Sequence, residues 1–150
     1  MSLKKGDIIP NFSLKDQNNE EFESSSFFGQ IPVVIYFYPK IFTPGCTKEA
    51  CQFRDTYQEF QDYGAEVIGI SSDDQKSHLK FAQKHELPFI LLSDPQNKVR
   101  RKFGVKKALL GLVPGRETFV IDKDGQLIYH FNNLDASKHM KKALKVIKDL

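Results

Sequence analysis

The chain's two cysteines, Cys46 and Cys51, are its best candidates for covalent chemistry. Cys46 closes the run Pro39-Lys40-Ile41-Phe42-Thr43-Pro44-Gly45-Cys46, in which a strand-like segment delivers the chain to a Pro/Gly turn. A helical pattern starts there, with Ala50, Phe53, Tyr57 and Phe60 at three- and four-residue steps. Cys46 is therefore expected at or just inside a helix N-terminus. Unpaired backbone N–H groups and the positive end of the macrodipole favour a thiolate there, and the thiolate is the reactive form.

Cys51 follows five residues later. If both positions are helical, the pair is separated by about 7.5 Å along the axis and about 140° around it. A disulfide needs Cα atoms within about 7 Å and converging Cβ vectors. An intact helix keeps the two thiols apart, so a bond between them requires the first turns to unwind. Taken alone, Cys51 also fits a small buried hydrophobe, the usual part played by a cysteine in a helix. The pair lacks the second pair or the histidines of a structural zinc site. His78, His85, His130 and His139 show no ligand spacing and read as surface or satisfied histidines. No metal and no other cofactor is expected.

The elements that must position these residues are legible in outline. Ile31 to Pro39 is apolar almost throughout and rich in β-branched and aromatic residues, as in a strand buried on both faces. Ala65 to Ser71, Phe89 to Leu92, Thr118 to Ile121 and Leu127 to Phe131 read as further strands, the last two joined at Asp124-Gly125. Gly64 ends the helix that carries the cysteines. Asp73 or Asp74 caps a second, with Leu79 and Ala82, and Asp94-Pro95 opens a short third. Met140, Ala143, Leu144 and Ile147 form the stripe of a last helix whose lysines lie mainly on the other side. Asn11 to Phe22 suggests an N-terminal β-hairpin. The expected fold is α/β, a central mixed β-sheet flanked by helices.

At 150 residues and 40% hydrophobic, including 13 Phe, the chain is expected to form a single domain over 1–150 with one core and no structural disulfide. Charged residues make up 27%, which argues against wholesale disorder. The net charge of +3 comes from scattered basic residues mixed with acids, so nucleic acid is not an expected partner. The N-terminal residues lead into no apolar segment long enough for a signal peptide or membrane span, so a cytoplasmic protein without a membrane partner is expected. In a reducing compartment, two cysteines point to redox activity before structure.

Pro39-x3-Thr43-x2-Cys46 resembles the active-site signature of the peroxiredoxins, and YFYPKIFTPGCTKEACQFRD closely resembles their bacterioferritin-comigratory protein or peroxiredoxin Q subfamily. The likeness extends from Gly6-Asp7 through Ile68-Gly69-Ile70-Ser71 to Arg116-x-Thr118-Phe119-x-Ile121-Asp122. It implies a thioredoxin-like fold and reduction of hydrogen peroxide and organic hydroperoxides. It implies Cys46 as the peroxidatic cysteine and Cys51 as the resolving one. Thr43 and Arg116 would stand beside the sulfur, Pro39 would shield it, and Glu49 would orient Arg116. A dithiol reductant such as thioredoxin would close the cycle, in a monomer or weak homodimer. Unlike many members, the chain has no Trp or Tyr in Lys106 to Pro114. That apolar stretch is expected to be a loop, forming a flap over the site or an interface.

Two other classes fit a thioredoxin-like fold. A dithiol exchanger usually carries Cys-x2-Cys, and the longer spacing here argues against it. A copper-binding assembly factor needs soft cysteine ligands with a placed His, and a cation beside Arg116 is electrostatically disfavoured.

Overall fold

The five residues Val33–Phe37 (β3) are all buried, and their side chains alternate between the two faces of one sheet. Val34 and Tyr36, with Tyr38 just beyond the strand, point into a core with Phe53, Phe60, Phe81, Phe89 and Leu144. Val33, Ile35 and Phe37 point into a second core with Ile68, Leu92, Phe103 and Phe119. A strand covered on both faces has no polar side, which is why its sequence reads as one apolar run.

The computed structural model describes residues 3–108 and 113–150. An N-terminal hairpin, Ser13–Asp16 (β1) and Glu21–Glu23 (β2), precedes β3. Helix Pro44–Asp62 (α1) connects β3 to Glu66–Ser71 (β4), and helix Gln75–His85 (α2) connects β4 to Ile90–Ser93 (β5). A short helix Lys98–Lys102 (α3) leads to the paired strands Lys107–Ala108 (β6) and Val113–Pro114 (β7). Strands Glu117–Ile121 (β8) and Leu127–Asn132 (β9) and helix His139–Lys148 (α4) complete the chain. The main sheet has the order β2-β1-β5-β4-β3-β8-β9. Pairs β3–β4 and β4–β5 are parallel, and the others are antiparallel. The expected mixed sheet, flanking helices and N-terminal hairpin are all present.

Two local expectations are revised. Asp94-Pro95 does not open the third helix. The Asp94 carboxylate instead accepts from the Val99 and Arg100 N–H groups, and the helix starts after Asn97, whose φ is 56°. Within the stretch Lys106 to Pro114, expected as a loop, Lys107–Ala108 pairs with Val113–Pro114 as β6 and β7. Residues 109–112, central to the flap-or-interface expectation, lie outside the described residues. Among the described residues, no helix is long and apolar enough to cross a membrane.

Register in this sheet positions the site. Strands β3 and β8 are antiparallel with Phe37 opposite Glu117. The exit of β3, which leads to α1, therefore lies beside the entry of β8, where Arg116 sits.

Candidate active site

Helix α1 starts after Thr43, which is extended (φ −87°, ψ 152°), with Pro44 in the first turn. Cys46 is the third helical residue and 2% exposed. The Thr43 side chain makes no cap hydrogen bond. Its hydroxyl donates to the Lys40 carbonyl at 2.8 Å, while its carbonyl accepts from Thr47 N–H. Thr43 is thus at the mouth of the helix, with its hydroxyl engaged in the preceding turn. Pro39, half-buried, lies in the segment between β3 and that turn.

Arg116 reaches the sulfur from 70 residues away: its Nη2 donates to Cys46 Sγ at 3.3 Å. Its Nη1 donates to Glu49 Oε1 at 2.5 Å, and its Nε donates to the Leu134 carbonyl at 3.1 Å. All three guanidinium nitrogens are engaged, so its plane is fixed. Glu49 lies three residues after Cys46 on the same helix face and is fully buried. Gly45 makes the approach possible, because a Cβ there would sit 3.1 Å from Arg116 Nη2. Burial works against the Arg116 cation, but Glu49 and Cys46 outweigh it and raise its pKa. Burial pushes the Glu49 carboxyl up to about 8 against the pull of Arg116.

Further buried groups pack around Glu49, Arg116 and the turn before α1. Glu49 Oε2 is buried without a hydrogen-bond partner, 3.7 Å from His139 Nδ1. His139 Nε2 donates to the Asn133 carbonyl at 2.6 Å, since a carbonyl can only accept. In the neutral ring, Nδ1 then accepts from the Thr118 hydroxyl at 2.7 Å. Burial lowers the His139 pKa to about 4, so the ring is neutral at physiological pH. Arg100, 7% exposed, donates to the Tyr38 carbonyl and to the Gly115 carbonyl, both at 2.8 Å. It ties together the segments leading to Cys46 and to Arg116. The turn before α1 is held from the other side, where Asp73 Oδ2 accepts from the Ile41 N–H and the Ser71 hydroxyl. Tyr38 meets His78 Nε2 at 2.6 Å, and His78 Nδ1 lies 2.8 Å from Ser93 Oγ. His78 and His139 are thus satisfied core histidines.

Cys51 points elsewhere. It is half-buried, and its Sγ lies 3.9 Å from His85 Nδ1 at the end of α2, whereas Cys46 faces Arg116. Both thiols are free. Among the described residues, no group of three or more His, Cys, Asp or Glu is placed to hold a metal ion. The arrangement suits chemistry in which negative charge develops at one buried sulfur, met by a fixed cation and a helix start.

Residues 5–130 match the model of the AhpC/TSA family. A curated relative, peroxiredoxin Q, chloroplastic, from Triticum aestivum, is 52% identical over 149 residues, covering 99% of this chain and 68% of the relative. The chain belongs to the peroxiredoxins. Among solved structures, peroxidoxin BcpB from Mycobacterium tuberculosis is 40% identical, with a TM-score of 0.88 over 99% of this chain and 98% of that one. The bacterioferritin comigratory protein of Xanthomonas campestris, solved in work on its alkyl peroxide reduction activity, is 31% identical, with a TM-score of 0.84 over 92% and 90% of the two chains. The peroxiredoxin therefore has the thioredoxin-like fold that the signature implied, and is a thiol peroxidase. One expectation falls. The cytoplasmic placement is overturned by the wheat relative, which is chloroplastic. A thiol-dependent domain needs a reducing partner, which more than one compartment supplies, so its cysteine usage does not carry the address.

Proposed function

We propose that this peroxiredoxin reduces hydrogen peroxide and organic hydroperoxides at Cys46, and that Cys51 of the same chain resolves the product. The observation that carries the reading is the Arg116 guanidinium, 3.3 Å from the Cys46 sulfur and pinned by Glu49. The Cys46 thiolate attacks one peroxide oxygen. An S–O bond forms, the O–O bond breaks, and the departing oxygen takes a proton to leave as water or an alcohol. Arg116 and the start of α1 stabilise the charge that builds on that oxygen. Thr43 and Pro39 shape the mouth of the site and limit access to the sulfur. The oxidised sulfur is a sulfenic acid. After the first turns of α1 unwind, the Cys51 thiolate attacks it, forming the S–S bond and releasing water. A dithiol reductant, thioredoxin or similar, then regenerates both thiols by exchange. Both cysteines lie on α1, so residues 1–150 acting as one domain can complete the cycle in a monomer or weak homodimer.

Mass spectrometry after mixing with peroxide tests the scheme. Wild type is expected to show a Cys46 sulfenate and then a Cys46–Cys51 disulfide. Cys46→Ser is expected to lose all turnover, and Cys51→Ser to consume about one equivalent of peroxide and stall. Wild-type thioredoxin-dependent turnover in Cys51→Ser would remove Cys51 from the cycle.

A further inference from the structure

Resting on the reading that Cys51 resolves the sulfenate, we infer that His85 is the base that takes the Cys51 proton before that attack. Resolution needs the thiolate, yet an ordinary cysteine is only a few per cent ionised at neutral pH. The Cys51 sulfur has a specific neighbour that can change this. His85 Nδ1 lies 3.9 Å from it, within reach of a sulfur hydrogen bond. In the Nε2–H tautomer, the Nδ1 lone pair faces the S–H.

The ring is held in place. The His85 carbonyl accepts from Arg54 Nη1 at 2.9 Å, and the ring packs edge-on against Phe81 at 5.0 Å. The charged groups around it come from both packed helices. Lys84 neighbours it on α2, and Glu86 follows. Arg54 of α1 lies across from it, with its Nε bonded to Asp55. Burial, Lys84 and Arg54 lower the His85 pKa, which favours the neutral ring that can accept a proton. Once protonated, it sits in the last turn of α2, where the helix dipole favours a cation.

The step balances without an outside reagent. The Cys51 proton moves to His85. The Cys51 sulfur then displaces hydroxide from the Cys46 sulfenic acid, so one S–S bond forms and one S–O bond breaks. The hydroxide leaves as water with the proton that His85 returns through solvent. Of the two sulfurs His85 contacts that of Cys51, while Cys46 faces Arg116, so the peroxide step should not depend on it.

Quenched-flow mass spectrometry of wild type, His85→Ala and His85→Gln separates the two steps. Sulfenate formation at Cys46 is expected to be unchanged in both variants. Disulfide formation is expected to slow about tenfold or more at pH 7 in both, because Gln can hold a hydrogen bond but not a proton. The wild-type rate of this step should level off above the imidazole titration range. The variant rates should keep climbing into the thiol range, and added imidazole should restore part of the loss in His85→Ala. Equal disulfide rates and pH profiles in all three proteins would overturn the role of His85 while leaving Cys51 as the resolving residue. A wild type that forms no Cys46–Cys51 disulfide would overturn both.

Discussion

Single side chains at the site differ in what they control. Gly45 sits in a helical position that tolerates alanine, and its φ is not positive, so Gly45→Ala should leave the thermal midpoint nearly unchanged. Its Cβ, however, would crowd Arg116 Nη2 at 3.1 Å. Stopped-flow measurement is expected to show Cys46 oxidation slowed about tenfold, because small misplacements at a reacting centre are costly. Arg100 acts on stability as well as geometry. Arg100→Met removes the donors to the Tyr38 and Gly115 carbonyls, and each carbonyl left unpaired costs about 1–3 kcal/mol, readable in urea unfolding. Arg116→Ala is expected to lower the peroxide rate constant by about a hundredfold or more. Cys46 and Arg116 were legible because their neighbours in sequence form a specific signature. Arg100 was not, since its meaning lies in partners such as Tyr38, 62 residues away, and no local pattern announces such a contact.

Among the elements, α1 carries the most. Its buried face places Phe53 in a stack on Tyr36 with ring centroids 4.6 Å apart, so the helix is docked on β3. Phe53→Ala should destabilise the fold by about 3–5 kcal/mol, measured by denaturant unfolding. The same helix must open at its start for the two sulfurs to meet. Amide exchange over residues 44–51 is therefore expected to speed up on oxidation while the turns around Phe60 stay protected. These elements were readable from sequence where burial was two-sided, as in β3, or striped, as in α1 and α4. Apolar periodicity puts Leu79 on the stripe of the second helix, but Leu79 is only half-buried, and His78 takes the fully buried place because Tyr38, Ser71 and Ser93 satisfy its ring. The start of α3 is not legible locally, because Asp94 accepts from the Val99 and Arg100 N–H groups across a turn instead of opening the helix.

For the whole molecule, buried titratable groups set the pH response. His78 and His139 fall from 6.5 to about 4 on folding, so between those values the unfolded chain binds more protons and stability rises with pH. Glu49 rises from 4.5 to about 8, so between those values the folded protein binds the extra proton and stability falls as pH increases. Among these three groups, the two histidines outweigh the single carboxyl from pH 4.5 to 6.5, and above 6.5 the carboxyl acts alone. Urea midpoints at pH 5, 6.5 and 8 are expected to peak near 6.5, and Glu49→Gln should abolish the decline from 6.5 to 8.

The contact between Arg116 and Cys46 spans 70 residues of chain and depends on β8 lying beside β3. A polypeptide still growing on the ribosome has made its nucleophile long before it has made the guanidinium. Until β8 is synthesised and pairs, the guanidinium cannot reach that sulfur. The nucleophile is thus made first, and its cationic neighbour joins it only when the sheet has closed around β8.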